Sequence, residues 1–218
     1  DAENVEEKKK LYYDKRVAYN AIVSRAMTTT QTGTYDNIFN YQPVGVDAAA
    51  LMIFLNRTCF NGLYRVNSKG LFNSPFGYYK HVNNIDKANI FAVSDMLSST
   101  VLLTGGYENV EKYVDEKTFV YLDPPYRPLS NTSNFTNYNK SGFNDTHQKK
   151  LAQWYTTMSA RGAKLLLSNS DPTNSDAADM FFDDLYKNYH IVRVHATRNV
   201  NSQSSGRGKI REILVKNF

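Results

Sequence analysis

Just past its midpoint the chain reads Phe119-Val120-Tyr121-Leu122-Asp123-Pro124-Pro125-Tyr126. The first four residues are apolar and β-prone and predict a strand, which the two prolines end. In an open α/β sheet, ligands bind beyond the carboxyl ends of strands, so the tetrapeptide that starts at Asp123 is a candidate site. The Asp123 carboxylate, the Pro124 carbonyl and the Tyr126 ring suit an exocyclic amino group on a planar base. The alternative is a rigid turn in which Asp123 caps the local backbone.

Short apolar strands alternate with helices around this stretch. The predicted strands lie at 101–103, 119–122, 163–167, 191–195 and 210–216, and the predicted helices at 108–114, 145–160 and 176–186. Asn144 and Gly162 are the expected caps of the middle helix. Such alternation predicts an α/β sheet that helices cover on both faces. Because no helix separates the last two strands, we expect them to pair antiparallel.

The part of the chain before residue 100 has a different pattern. Helices are predicted at 6–27, 48–59 and 86–98. Between the last two of these, two short β-prone runs surround Ser68-Lys69-Gly70 and predict a β-hairpin near residues 62–73. This part therefore reads as a helical segment that carries one hairpin.

The distribution of charge suggests an anionic partner. The chain has 218 residues and a formal net charge of +5. No acidic residue lies between Asp47 and Asp86, or between Asp184 and Glu212, although both intervals contain several lysines and arginines. Two acid-free basic intervals are typical of a surface that faces phosphates. The alternative is chance clustering on solvated faces.

Cysteine content and hydropathy exclude other classes of protein. A single cysteine, Cys59, excludes an internal disulfide framework and a cysteine-cluster zinc site. No apolar run approaches the ~20 residues of a membrane helix, and the N-terminal residues lack a signal-peptide pattern. We therefore expect a cytoplasmic protein without a membrane partner.

Several motifs in one order resemble the Dam-type DNA adenine-N6 methyltransferases. The candidate tetrapeptide continues into Pro128-Leu129-Ser130, and the resemblance extends over roughly residues 50–218. The other segments that carry it are Phe60-Asn61-Gly62-Leu63-Tyr64-Arg65-Val66-Asn67, Phe72-Asn73-Ser74-Pro75-Phe76-Gly77-Tyr78-Tyr79-Lys80, Leu166-Leu167-Ser168-Asn169-Ser170 and Ser204-Ser205-Gly206-Arg207-Gly208-Lys209.

The resemblance implies a Rossmann-like, S-adenosylmethionine-dependent methyltransferase sheet with an inserted helical target-recognition domain that bears a β-hairpin. Residues 1–84 would form the target-recognition domain, and residues 85–218 the C-terminal part of the catalytic domain. The implied partner is double-stranded DNA, with GATC as the expected site within a restriction-modification or related system. The implied cofactor is S-adenosylmethionine without a metal, and we expect a monomer or a weak dimer.

The resemblance also assigns roles to residues. Asp123, Pro124 and Tyr126 would be catalytic, and Asp123, Gly106 and Tyr107 would contact the cofactor. Arg65 would read a guanine, its alternative being a phosphate contact, and Phe60 would be a wedge in the base stack, its alternative being a helix-end core residue. The full set of candidate DNA-binding residues is Phe60, Asn61, Leu63, Arg65, Pro75, Tyr79, Lys80 and Ser130.

The residue that opens the tetrapeptide separates the related chemistries. Cytosine-N4 transfer commonly has serine there and glutamine methylation has asparagine, so Asp123 favours adenine. One departure from the family stands against activity. The family's F-x-G-x-G segment and upstream lysine, which bind the cofactor, are absent from these 218 residues. The chain is therefore expected to be the C-terminal portion of a methyltransferase, the alternative function being a non-catalytic DNA-binding fragment or remnant.

This departure yields a prediction about cofactor binding. We expect these 218 residues by themselves to bind S-adenosylmethionine weakly or not at all, because they do not contain the glycine-rich segment that holds the cofactor in the family they resemble. Isothermal titration calorimetry of the isolated chain is the measurement. Micromolar affinity would contradict the prediction.

Overall fold

The structure is a computed structural model that describes residues 2–29, 45–79, 85–128, 143–197 and 209–218. The chain divides into two compact units, Asp1–Gly106 and Tyr107–Phe218. The helices of the first unit are α1 Ala2–Thr29, α2 Gly45–Thr58 and α3 Lys87–Ser98. The second unit contains β1 Phe119–Leu122, α4 Asp145–Ala160, β2 Lys164–Ser170, α5 Phe181–Leu185, β3 His190–Thr197 and β4 Lys209–Lys216. Within the described ranges no helix combines the length and apolar character needed to cross a bilayer.

The N-terminal unit is built on the contact between α1 and α2. Residues spaced by seven and four positions along α1 face the same side of the helix, and they enter a core with α2 and the segment that follows it. Asn20 fixes that segment on α1, because its side chain donates to the Phe72 carbonyl at 3.0 Å and accepts from the Phe72 amide at 2.9 Å. The buried core consists of Tyr12, Tyr19, Val23, Ala48, Leu55, Cys59, Phe72 and Phe76.

The predicted hairpin is present as a chain reversal rather than as two paired strands. Its pairing is limited to isolated bridges, Val66 with Phe72 and Cys59 with Phe76. The Asn67 side chain accepts from the amides of Lys69 at 2.9 Å and of Leu71 at 3.1 Å, so it takes over donors near the turn. A side chain that binds nearby backbone amides competes with strand pairing, which explains why the pairing does not extend toward the turn.

The C-terminal unit contains a four-stranded sheet in the order β1-β2-β4-β3. Strands β1 and β2 are parallel, and β4 is antiparallel to both β2 and β3. The antiparallel pairing of the last two strands is confirmed. A mixed α/β unit is therefore confirmed, and its one parallel pair creates a sheet edge at which two carboxyl ends meet.

Helix α4 follows the sequence prediction at both ends. The Asn144 side chain accepts from the amides of Thr146 and His147 and forms a capping box with His147. Gly162 follows the helix with a φ of 91°, a left-handed conformation that glycine adopts without steric cost. The buried side of the helix packs into the core of the unit through Gln148, Leu151, Ala152, Trp154, Tyr155 and Met158.

The predicted strand at 101–103 is wrong. No strand forms there, and the side chains of Val101 and Leu102 are 72% and 71% exposed. An apolar run becomes a strand only when another strand supplies its hydrogen-bond partners. In the described part of the chain none does. The first strand also departs from expectation, because Phe119 and Tyr121 are each 56% exposed, so no helix among the described residues covers that face of the sheet at β1.

Two predicted helices differ from expectation, the first in helix type and the second in length. The segment at 108–114 forms a 3-10 helix, Tyr107–Tyr113, and the segment at 176–186 contains only α5, Phe181–Leu185. Before α5, Asp176 accepts from the amide of Ala178 at 2.9 Å and Asp179 from the amide of Phe181 at 3.0 Å. Aspartate side chains that bind the backbone two residues on favour turns over helix, which delays the start of α5.

Candidate active site

Asp123 begins the loop at the carboxyl end of β1 and lies beside β2. In the parallel register Leu122 pairs with Leu167, so the next residue of each strand, Asp123 and Ser168, are neighbours. The Ser168 hydroxyl donates to Oδ1 of Asp123 at 3.0 Å, and it lies 3.1 Å from the Tyr121 hydroxyl. These contacts orient the exposed Asp123 carboxylate. Its Oδ2 atom has no hydrogen-bond partner among the described residues and is available to a donor from outside.

Tyr126 presents an aromatic ring at the same edge. The side chain is 38% exposed, and its hydroxyl donates to Oε2 of Glu212 in β4 at 3.3 Å. Burial raises the pKa of the Tyr126 phenol above its ordinary value, and the carboxylates of Glu212 and Asp123 act in the same direction. The phenol is therefore neutral at physiological pH, and the exposed part of the ring can stack on a planar group.

Arg127 fixes the chain where it leaves the tetrapeptide. Its guanidinium binds both carboxylate oxygens of Asp145 at 2.8 and 3.1 Å, binds Asp179 at 2.6 Å, and lies over the Phe181 ring at 4.4 Å. Burial raises the pKa of the Asp179 carboxyl, but the hydrogen bonds from Arg127 and the Phe181 amide, together with the Arg127 charge, outweigh it, so the pKa lies below its usual value. These charge-assisted contacts connect the loop to α4 and to the turn before α5.

The candidate DNA-binding residues that the structure describes lie in the N-terminal unit, around the bridge between Cys59 and Phe76. The Phe60 amide donates to the Pro75 carbonyl at 2.8 Å, which brings these two predicted residues together. Asn61 has a φ of 55°, a left-handed conformation that asparagine adopts more readily than most residues other than glycine. The exposed candidates are Phe60, Asn61, Leu63, Arg65, Pro75 and Tyr79, whereas Lys80 and Ser130 lie outside the described residues.

Arg65 is held across the chain reversal by Asn73. The Arg65 Nε donates to Oδ1 of Asn73 at 2.9 Å, and its Nη2 donates to the Asn73 carbonyl at 3.3 Å. Arg65 is otherwise exposed to solvent. The orientation of Arg65 is thus set before any ligand arrives, which sequence reasoning about Arg65 alone did not reveal.

The two remaining cofactor candidates are consecutive. Gly106 is exposed, and Tyr107 begins the 3-10 helix with its ring edge-on to Trp154 at 5.4 Å. Burial raises the pKa of Tyr107 to about 12, and the neighbouring Glu108 adds to this. Tyr107 is thus a neutral, half-buried residue of the core. In the ranges that the structure describes, no three histidine, cysteine, aspartate or glutamate side chains are grouped as a metal site would require.

Sequence reasoning missed several polar residues behind the tetrapeptide. Ser168 and Asn169 belong to a motif that carried the resemblance, but no role was assigned to them. Gln148 had a signal that was overlooked, because it falls at helical spacing with Leu151 and Tyr155 and so places an amide on an apolar face of α4. Glu212 had no local signal, since only the pairing of β4 with β2 brings it near Tyr126.

Comparison with known proteins identifies a protein family whose model this chain matches. The family model for the D12 class N6 adenine-specific DNA methyltransferase matches residues 1–200. The chain is 47% identical over 174 residues to the type II methyltransferase M.MjaIII of Methanocaldococcus jannaschii, covering 79% of this chain and 58% of that protein. It is 40% identical over 175 residues to M1.LlaDCHI of Lactococcus lactis, with 79% and 59% covered. It is 33% identical over 178 residues to a DNA adenine methylase of Vibrio cholerae, with 81% and 61% covered. The chain thus spans about three fifths of the length of these relatives.

Proposed function

The chain belongs to the D12 class of N6-adenine-specific DNA methyltransferases, and from this premise we propose that the full-length protein methylates N6 of adenine in duplex DNA. The observation that carries the proposal is the Asp123-Pro124-Pro125-Tyr126 loop at the carboxyl end of β1, with the Asp123 carboxylate oriented by Ser168. Relatives named type II methyltransferases and DNA adenine methylases support it. We also propose a restriction-modification or related role in the cytoplasm, with duplex DNA as partner and GATC as the site.

The loop suits an adenine that has left the base stack, as enzymes that modify a base require. The Asp123 carboxylate and the Pro124 carbonyl accept the two hydrogens of the adenine amino group. Two acceptors localise electron density on N6, which makes the nitrogen a better nucleophile. The exposed part of the Tyr126 ring stacks on the flipped base and keeps N6 against the acceptors.

S-adenosylmethionine supplies the methyl group from its sulfonium centre. N6 would form the new bond to the methyl carbon as the bond from that carbon to sulfur breaks, the thioether would be the leaving group, and N6 would release one proton to water. Because that proton becomes acidic only after transfer, Asp123 needs no unusual basicity and acts by position and charge.

The residues present fit part of a cofactor site. The exposed Asp123 carboxylate complements a positively charged sulfonium centre. Gly106 is exposed and has no side chain, so its backbone can be approached closely. Tyr107 offers the accessible part of a neutral ring. We propose Asp123, Gly106 and Tyr107 as cofactor-binding residues.

The N-terminal unit carries the proposed recognition surface. Its exposed residues Phe60, Asn61, Leu63 and Arg65 project from a framework that the buried Cys59, Phe72 and Phe76 hold together. A surface with a rigid buried side positions exposed side chains for base edges better than a free loop does. Arg65 is the proposed guanine reader, with its fork held in place by Asn73.

Replacement of Arg65 by alanine is expected to relax the preference for one guanine. A two-bond contact between arginine and guanine is worth about 1–3 kcal/mol of discrimination. Binding of the full-length protein to a matched duplex and to single-substituted duplexes, at two salt concentrations, measures this. We expect Arg65→Ala to bind matched and guanine-substituted sites almost equally.

Lys69→Ala provides the matched control, because Lys69 is an exposed basic residue of the same chain reversal. A residue that contacts only phosphate lowers affinity about equally on all sequences and reduces the salt slope by roughly one unit. If Arg65→Ala behaves in that way, Arg65 positions the protein and base reading rests on other residues.

The proposed function itself is tested by methyl transfer from radiolabelled S-adenosylmethionine to duplex DNA by the full-length protein. Label is expected in N6-methyladenine after digestion of the DNA to nucleosides. Duplexes with GATC, with a permuted site, and with the target adenine already methylated give the specificity. Label recovered in methylated cytosine would refute the proposal. The absence of any label would also refute it, provided that the cofactor is active and the protein is folded.

A further inference from the structure

Two buried amide side chains lie behind the tetrapeptide, Gln148 in α4 and Asn169 in β2. Both are fully buried, with 0% of their surface exposed. Nδ2 of Asn169 donates to Oε1 of Gln148 at 3.3 Å, so the two side chains form a connected pair between helix and sheet. We call Gln148 and Asn169 the amide pair.

The amide pair binds the backbone on both sides of Tyr126. Nε2 of Gln148 donates to the Pro125 carbonyl at 3.1 Å, and Oδ1 of Asn169 accepts from the Arg127 amide at 3.0 Å. One contact fixes the peptide plane before Tyr126 and the other fixes the plane after it. The orientations of these two planes define φ and ψ of Tyr126, so the pair sets the direction in which its side chain leaves the backbone.

Burying two amides is costly unless their hydrogen-bonding groups have partners. This pair meets that condition, because Oδ1 of Asn169 accepts a second bond, from the Ser170 amide at 2.9 Å. An apolar pair of similar volume would fill the same space without any desolvation cost. The two amides therefore contribute hydrogen bonds to the loop, which an apolar pair could not make.

The outer end of Tyr126 has its own contact, the hydroxyl bond to Glu212 at 3.3 Å. The ring is thus fixed at its backbone by the amide pair and at its tip by β4. The adjoining Arg127 carbonyl accepts from the Ser170 hydroxyl at 2.7 Å, which holds the exit of the loop. These contacts leave the exposed Tyr126 ring few orientations. The conformational entropy of this side chain is therefore lost before the base binds.

We propose that Gln148 and Asn169 are positioning residues, which orient the Tyr126 ring for the flipped adenine. The inference rests on the proposed function. Neither side chain touches the substrate, and both act through the backbone that they bind. A displacement of about 1 Å in such a site can cost up to about 100-fold in rate.

The test compares steady-state methylation by full-length variants. Gln148→Met keeps the volume of the side chain and removes the bond to Pro125, and Gln148→Asn keeps an amide in the core but withdraws it from that carbonyl. Both are expected to lower kcat by about 10- to 100-fold while KM for duplex DNA changes less than about twofold. If one variant does not fold, the other carries the test.

Two controls separate positioning from loss of stability. Gln153→Met makes the same exchange at an exposed position of α4, and Met158→Ala opens a cavity in the buried core without touching the amide pair. Fluorescence of a duplex with 2-aminopurine at the target position reports stacking of the flipped base. We expect it to change in both Gln148 variants and in neither control.

The outcomes are distinguishable. Gln148 variants that retain kcat, or a Met158→Ala variant that loses as much kcat at matched unfolding temperature, would overturn the positioning role. An effect confined to KM would do the same. If the wild-type protein does not methylate adenine, the proposed function fails and this inference fails with it, whereas an active wild type leaves the variants to decide.

Discussion

Replacement of Asp123 by alanine is expected to abolish methylation of adenine while the protein stays folded. The substitution removes the carboxylate that Ser168 orients and that accepts from the amino group of the base. Loss of one preorganised partner of a reacting group typically lowers kcat by about 100- to 1000-fold. Asp123 itself is exposed, and the buried Ser168 hydroxyl that loses this acceptor keeps its contact with the Tyr121 hydroxyl at 3.1 Å, so the fold should be retained. Single-turnover methylation of a duplex substrate measures the effect.

Two further variants make this result interpretable. Asp123→Asn keeps a side-chain oxygen for Ser168 but loses the charge and one acceptor, so it should fall between wild type and Asp123→Ala. Glu116→Ala removes an exposed acid elsewhere in the same unit and should retain full activity. Wild-type rates in Asp123→Ala would show that the carboxylate has no part in the reaction.

Replacement of Asp171 by asparagine is expected to destabilise the protein strongly. The Asp171 side chain is fully buried after β2 and forms ion pairs with Arg193 at 3.1 Å and Arg211 at 3.5 Å. Breaking a buried pair by removing one partner costs about 3–5 kcal/mol. Because both arginines are partly exposed, with 31% and 43% of their side chains accessible, the lower end is expected. Urea denaturation measures the free energy of unfolding.

The pH dependence identifies the cause of that loss. Burial raises the pKa of the Asp171 carboxyl, but hydrogen bonds from Thr173 and the charges of Arg193 and Arg211 outweigh it, so the pKa lies below its ordinary value. A lowered pKa stabilises the folded state above the unfolded pKa of about 3.9, and this stability is lost as pH falls through the folded pKa.

The difference between wild type and Asp171→Asn should therefore be constant near neutral pH and shrink below about pH 4. Asp176→Asn, at an exposed position, serves as the control and should change little. An equal difference at pH 7 and well below pH 4 would show that packing, and not charge, accounts for the loss.

Local sequence signals predicted those elements whose ends and faces are defined by neighbouring residues. Helix α4 begins at the Asn144 cap and ends before Gly162, as expected. The antiparallel last pair was predicted because the sequence between the two strands has no helical pattern. The family was recognisable because its motifs are contiguous stretches, and the family match over residues 1–200 confirms it.

Local sequence signals failed where the conformation of a segment depends on residues that are close to it in space. The apolar run at 101–103 has the composition of a strand, yet within the described residues no neighbouring strand pairs with it. The turns at Asp176 and Asp179 replace predicted helix, because these side chains bind the backbone more favourably than the helix would. Propensity describes the isolated segment, and tertiary partners override it.

The sequence by itself determined that a strand runs into Asp123-Pro124-Pro125-Tyr126, because apolar residues and prolines act within a few positions of one another. Only the tertiary structure decided what holds this loop. The parallel register sets Ser168 against Asp123, strand β4 brings Glu212 to Tyr126, and the amide pair clamps the loop from the core. These contacts join residues 23 to 86 positions apart along the chain. A hydrogen bond depends on distance and direction in space, which local sequence does not encode.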